Sequence, residues 1–243
     1  MDKNSMLYWY PEIKHLGIPM PETEIVEVDY DWSLFCDFVD GKNSVLEPYL
    51  KELHDKAKRI GYPLFMRSDL LSAKHHWKHS CYVESEKDII PHLRRIVEES
   101  YMADIIGLPV NAIVFREYIP LDVVFTAFYG EMPVARERRY FIKDQEVLCH
   151  HPYWIEDAIV NPSIPDWKEA LKRLNTEDAK ELITLSNIAH RVANEFDGYW
   201  SVDFARAKTG VWYLLDMALG ADSWHPKCDK VPTMFKKYAE DER

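Results

Sequence analysis

Two apolar runs of strand length, Tyr199-Trp-Ser-Val-Asp-Phe-Ala-Arg206 and Val211-Trp-Tyr-Leu-Leu-Asp216, are separated only by Ala207-Lys-Thr-Gly210. So short a connection predicts an antiparallel β-hairpin. With Thr209-Gly210 as a two-residue turn, Lys208 pairs with Val211, and counting back sets Asp203 directly opposite Asp216 on one face. A four-residue loop shifts the register by two and leaves the aspartates diagonal on that face, whereas a three-residue loop takes them out of opposition. Opposed carboxylates have Cβ atoms about 4.5–5.5 Å apart and repel, so a half-buried pair calls for a positive group between them. A hard divalent cation such as Mg2+ meets that need. Two strand-edge aspartates in solvent are the plainer alternative.

The chain upstream supplies cations in clusters. His15-Leu-Gly-Ile-Pro-Met-Pro-Glu-Thr-Glu-Ile-Val-Glu-Val28 runs from a helix end through prolines into an alternating strand. Ser44-Val-Leu-Glu47 reads as a capping box, and Val45, Tyr49, Leu50, Leu53, Ala57 and Ile60 keep helical spacing until Gly61. A strand, Pro63-Leu-Phe-Met-Arg67, then leads into the basic, aperiodic stretch 68–80, a candidate lid or a solvated turn. In that stretch His75, His76 and His79 lack a carboxylate or cysteine at ligand spacing, which favours stacking or anion contact over a metal. A capped helix follows from Ser85 to about Met102. Asn111 to Leu121 is a strand ending at Pro120, with Ala112, Val114, Arg116 and Tyr118 on one face and Ile113, Phe115, Glu117 and Ile119 on the other.

Val123 to Tyr129 is a further strand. Arg136-Glu-Arg-Arg-Tyr-Phe-Ile142 and Glu146-Val-Leu-Cys-His150 form a second hairpin around Lys143-Asp144-Gln145, with Glu137 and Arg139 on one side and Arg138 on the other. A ligand-facing charge set and a charge-protected sheet edge both fit that pattern. Asn161-Pro-Ser-Ile-Pro165 breaks the chain before helices at Asp166 to Leu174 and Thr176 to Phe196, the latter with a core-facing apolar stripe.

With 243 residues the chain can bury a real core. Its formal net charge of −11 opposes broad binding to nucleic acid or anionic membrane. Without a long apolar run, or a basic leader at the N-terminus, the expected location is the cytoplasm. Cys36, Cys81, Cys149 and Cys228 lie far apart with no Cys-x-x-Cys, so reduced, mostly buried thiols are expected in place of a disulfide framework or zinc ribbon.

From about His15 to Pro226 these pieces, in this order, resemble the ATP-grasp superfamily. The similarity is greatest to the clade named for two arginines and one lysine, which includes phage and bacterial ligase-like proteins and the eukaryotic cell-division-cycle protein that helps assemble translation initiation factor two. Gly17 to Thr23 resembles the entry turn, and Arg67-Ser-Asp69 with Ser72, Lys74 and Trp77 resembles the phosphate-loop signature. Phe115-Arg116-Glu117-Tyr118 and Glu137-Arg138-Arg139 resemble the clade's arginine strands. The resemblance implies an α+β ATP-grasp fold with two lobes and the nucleotide between antiparallel sheets. Residues 1–110 would form the N-terminal lobe with the phosphate loop, and residues 111–243 the C-terminal lobe with the hinge strand and metal hairpin.

It further implies nucleotide contacts from Arg67, Lys74, Glu117, Tyr118 and Ile119, with the adenine against the backbone of the last two. Catalytic roles would fall to Arg116, Arg139 and Lys74, with Mg2+ on Asp203 and Asp216. The implied activity is an ATP-dependent ligase that activates a carboxylate as an acyl phosphate. Its substrates would be a small molecule or peptide. Alternatives are an ATP-binding assembly factor with a protein partner, or a ligase of nucleic-acid ends, which the acidic charge disfavours. Two departures stand out. The phosphate loop has no glycine, and Ala218 occupies the place of the family's usual Asn, so that either Asp222 or Ser223 substitutes or a second metal is held weakly.

Overall fold

The computed structural model describes residues 1–42, 46–103 and 108–230. The chain divides into two units, the first comprising residues 1–20, 120–126 and 133–243 and the second residues 21–119 and 127–132.

The second unit is a four-stranded antiparallel sheet covered on one face by helices. Strands β1 (Thr23–Glu27), β2 (Leu64–Ser68), β3 (Tyr82–Val83) and β4 (Ala112–Glu117) are ordered β1-β4-β2-β3. β4, expected at the head of the C-terminal lobe, is thus an inner strand of this sheet. Leu64 and Met66 of β2 join Ile113 and Phe115 of β4 and Val26 of β1 in the core, packed with Leu53 and Ala57 of one helix and Leu93 and Ile96 of another. Those helices are α3 (Glu47–Ile60) and α4 (Ile89–Met102), and a further helix, α2 (Trp32–Val39), forms from the mainly apolar run Trp32-Ser-Leu-Phe-Cys-Asp-Phe-Val39, where no element is expected from sequence. Its start is fixed by Asp31, whose carboxylate accepts from the backbone N–H groups of Ser33 and Leu34. The capping box expected at Ser44, and with it Val45, lies outside the described residues. Ahead of α4 the capping box expected at Ser85 forms on a short 3-10 turn, Glu86–Asp88, that leads into the helix: Asp88 Oδ2 accepts from Ser85 N at 3.0 Å and from Ser85 Oγ at 2.9 Å.

The first unit holds α1 (Met6–Ile13) and a second four-stranded antiparallel sheet. β5 (Val123–Ala127) and β6 (Met132–Ala135) pair as a separate two-stranded ribbon. β7 (Glu137–Lys143), β8 (Glu146–Pro152), β9 (Tyr199–Arg206) and β10 (Trp212–Leu219) form the larger sheet in the order β10-β9-β7-β8. Helices α5 (Trp167–Asn175) and α6 (Ala179–Ala193) lie in the same unit. α6 starts three residues later than expected because Asp178 caps it, accepting from Glu181 N at 2.8 Å.

Both predicted hairpins exist with different loops. Lys143 pairs with Glu146, so the β7–β8 loop is the two residues Asp144 and Gln145, each at positive φ, as a type I′ turn requires. In the β9–β10 hairpin Arg206 pairs with Trp212, and Ala207 N donates to Val211 O at 2.8 Å. The loop is therefore the three residues 208–210, with Gly210 at φ +85°, where the left-handed position of such a loop favours glycine. That loop alone would take the aspartates out of opposition. A bulge between Leu214 and Asp216 adds one residue back, and Asp216 pairs with Asp203 after all.

Candidate functional site

In the second unit, the register sets Phe65 opposite Arg116 and Arg67 opposite Val114, so both arginines share the sheet face turned away from the apolar core. Each is 3% exposed. Arg67 Nε donates to Ser68 O at 3.0 Å, and Arg116 Nε to Thr23 Oγ1 at 3.3 Å. Asp69, two residues after Arg67, accepts from Asn111 N at 3.0 Å and Asn111 Nδ2 at 3.0 Å, which ties the end of β2 to the start of β4.

An aromatic wall lies alongside the arginines. Trp77 stacks on Tyr82 with ring centroids 6.0 Å apart and is tilted against Phe65 at 5.6 Å and Tyr118 at 6.3 Å. Tyr82 meets Tyr118 edge-on at 5.2 Å. Burial, then the neighbouring Tyr82, push the Tyr118 hydroxyl above its ordinary pKa. Of these rings the sequence points to Trp77 and Tyr118; Phe65 and Tyr82 could have been found from their strand register. Glu117 is exposed, with its N–H donating to Glu22 O at 2.8 Å, and Ile119 is buried.

The basic stretch is less open than a lid would be. Lys74–His79 forms a 3-10 turn held by neighbours within its unit. His75 stacks on Phe128 at 4.6 Å, His76 on Tyr129 at 6.4 Å, and Lys78 pairs with Glu131. His76 Nδ1 also lies 2.6 Å from Glu99 Oε1. Stacking is thus what two of the histidines do. Lys74 is half-buried at the head of the turn.

In the first unit, Arg139, Asp203 and Asp216 stand side by side on three adjacent strands, because Arg139 pairs with Asp203 and Asp203 with Asp216. Arg139 grips Asp203 bidentately, Nε to Oδ1 at 2.7 Å and Nη2 to Oδ2 at 2.7 Å, and Nη1 donates to Trp224 O at 3.3 Å. Its guanidinium lies 4.7 Å from the centre of the Tyr153 ring. Burial alone would lower the Arg139 pKa, but the charge and hydrogen bonds of Asp203 outweigh it and hold the group above its ordinary value. The chain thus supplies a positive partner for Asp203, on the strand away from Asp216 and not between the two carboxylates. Asp216 Oδ1 accepts from Met217 N at 3.1 Å. Glu137, also on this side of the sheet, accepts from Trp154 Nε1 at 3.0 Å.

Arg138 faces the opposite way. Its Nε lies 2.6 Å from Glu181 Oε1, and Arg136 Nη1 lies 3.3 Å from the other oxygen, so the pair fastens α6 to the sheet. Ser223 Oγ is 2.6 Å from Ser201 Oγ in a buried contact, and Asp222 accepts from Asn4 Nδ2 at 3.0 Å. Both candidate substitutes for the family Asn therefore hold local structure.

Arg67, Lys74, Arg116, Glu117, Tyr118 and Ile119 thus belong to the second unit, and Arg139, Asp203 and Asp216 to the first. No curated protein sequence matches the chain. Among solved structures the chain is similar to C-terminally truncated Cdc123 from Schizosaccharomyces pombe, with a TM-score of 0.56 and 12% identity over 89% of this chain and 83% of that one. It is also similar to carboxyaminoimidazole ribonucleotide synthase from Aspergillus clavatus complexed with ATP, with a TM-score of 0.50 and 16% identity over 88% of this chain and 44% of that one. A structure of N5-carboxyaminoimidazole synthase from the same organism, in complex with ADP and an aminoimidazole ribonucleotide, gives 0.48 and 14% over 88% of this chain and 43% of that one. The chain spans less than half the length of these synthases, and at 12% and 16% identity the likeness to Cdc123 and to the ATP-bound synthase is one of fold. The model of the ATP-grasp domain, family 3 of the clade named for two arginines and one lysine, matches residues 41–237, most of the chain, and the protein belongs to that family.

Proposed function

We propose that the protein is an ATP- and Mg2+-dependent ligase that activates a carboxylate as an acyl phosphate and passes the acyl group to an amine or another nucleophile. The observation that carries this reading is the Arg139–Asp203–Asp216 row on three neighbouring strands. A carboxylate offers about four lone-pair directions, so Asp203 can keep Arg139 on two of them and still face a cation. The donor set is all oxygen, as Mg2+ prefers. Asp203 and Asp216 would hold Mg2+, which when bound neutralises phosphate charge.

In this reading Arg67 and Lys74 meet the phosphates of ATP, and the segment Glu117–Ile119 meets the adenosine, with the adenine against the backbone of Tyr118 and Ile119. Arg116 and Arg139 hold the transferring phosphoryl group. The substrate carboxylate attacks the γ-phosphorus, ADP leaves, and the nucleophile then displaces phosphate from the acyl phosphate. Charge stabilisation and positioning account for most of the rate in such chemistry, so no enzyme nucleophile is needed.

A second reading, an ATP-binding assembly factor acting on a protein partner, is favoured by the 83% of Cdc123 that this chain spans. The test is incubation of the full chain with Mg-ATP and panels of carboxylic acids and amines, with nucleotide products separated. ADP that forms only when an acid is present supports the ligase. Nucleotide binding without turnover until a protein is added selects the assembly factor, and AMP selects end joining.

A further inference from the structure

Two of the four cysteines, none of which is disulfide-bonded, converge with two histidines at a place the ATP chemistry does not use. In β8, Cys149 lies opposite Phe141 and His151 opposite Arg139, so both share the sheet face that carries Arg139 and Asp203. After β10 the chain makes a 3-10 turn at Gly220–Asp222 and returns across this face with His225 and Cys228. The His225 ring is 0% exposed, 4.1 Å from the Phe141 ring and 5.0 Å from the His151 ring. One ligand atom from each of Cys149, His151, His225 and Cys228 lies within 4.8 Å of all the others.

We propose that these four residues form a tetrahedral Zn2+ site, separate from the Asp203 and Asp216 pair. Metal–sulfur and metal–nitrogen bonds of ordinary length place tetrahedral ligand atoms about 3.3–3.8 Å apart. Cys149 Sγ and His225 Nε2 are already 3.2 Å apart, so small side-chain movements complete the shell. The surrounding contacts also suit a metal. His225 Nδ1 lies 2.6 Å from Pro226 O, to which it can only donate, and this leaves the Nε2 lone pair directed at Cys149. Lys230 N donates to Cys228 Sγ at 3.4 Å, a contact that favours the thiolate. Two thiolates and two neutral imidazoles give a site of no net charge with Zn2+, which burial tolerates. Their softness selects Zn2+ and rejects Mg2+, the reverse of a carboxylate pair.

The site would pin the segment after β10 onto β8. That segment includes Trp224, whose carbonyl accepts from Arg139 Nη1, so the zinc would also steady the arginine that orients Asp203. The sequence signal is Cys149-x-His151 with His225-x-x-Cys228, two pairs too far apart to read as one site.

The test is a Co2+ titration of the reduced, EDTA-stripped full chain followed by absorbance. The expected result is a thiolate-to-cobalt charge-transfer band with the intense d–d bands of a tetrahedral ion, saturating at about one metal per chain. Zn2+ should displace the ion, and excess Mg2+ should not. Cys149→Ser and Cys228→Ser should each weaken the charge-transfer band, while Cys36→Ser keeps it. Because a ligand variant can fail to fold, the wild-type spectrum decides alone if needed. A six-coordinate spectrum without charge transfer would overturn the site. So would a band that survives in both folded serine variants, or a Cys149–Cys228 disulfide in protein alkylated on lysis.

Discussion

Asp203 and Asp216 face each other across β9 and β10, yet their surroundings differ. Asp203 is locked by two hydrogen bonds from Arg139, while Asp216 Oδ1 accepts from the next backbone N–H. Replacing each by the isosteric amide therefore has unequal consequences. Asp203→Asn takes away the charge that Arg139 needs and should cost about 1–3 kcal/mol with or without metal. Asp216→Asn should change stability by less than about 0.5 kcal/mol in EDTA, because lost attraction to Arg139 and relieved repulsion from Asp203 oppose each other. The same variant should lose whatever stabilisation Mg2+ gives the wild type. Thermal melts of the three proteins in EDTA and in excess Mg2+ check this, and an Asp216→Asn protein that keeps the Mg2+ shift would show that Asp216 is not a ligand.

Elements carry what single residues do not show. The β9–β10 hairpin is legible in sequence as a hairpin, and the opposition of its aspartates is too, but only because two offsets cancel. A three-residue loop and a bulge between Leu214 and Asp216 each move the register by one. The run Tyr213-Leu-Leu has no clean alternation, so nothing in it marks the extra residue. α2 escapes sequence reading because its apolar run Trp32–Val39 is only eight residues long, too short for periodicity to tell a helix from a buried strand. The turn Lys74–His79 contains no glycine, but the backbone of His76 and Trp77 is approached closely by Gly130 from residues 127–132. A Cβ there would press on that backbone closer than real contacts allow. Gly130→Ala should thus destabilise the protein by about 1–3 kcal/mol, the usual cost of overpacking. By shifting Lys74 it should also weaken Mg-ATP binding, measurable by denaturant titration and calorimetry. A variant as stable as the wild type with unchanged affinity would mean the turn does not depend on this contact.

At the scale of the whole molecule, the order of motifs is enough to place the chain in its family, since each arginine strand and the aspartate hairpin carry local patterns that survive in sequence. What stays hidden depends on distant segments meeting: the aromatic wall of Phe65, Trp77, Tyr82 and Tyr118, and the convergence of β8 with the chain after β10. The 3-10 turn with Lys74 and the strands with Arg67 and Arg116 belong to one unit, the Arg139–Asp203–Asp216 row to the other, and among the described residues no helix is long and apolar enough to cross a membrane. A ligand that binds only the native state stabilises it by mass action, by about 2.7 kcal/mol at a hundredfold excess over Kd. In a chain of this size that corresponds to a rise in Tm of roughly 5–11 °C. The most direct measurement is therefore the Tm of the full chain against Mg-ATP, with ATP in EDTA as the control. The account predicts a rise of that order with Mg-ATP and a much smaller one without the metal; no shift at millimolar Mg-ATP in a folded sample would contradict it.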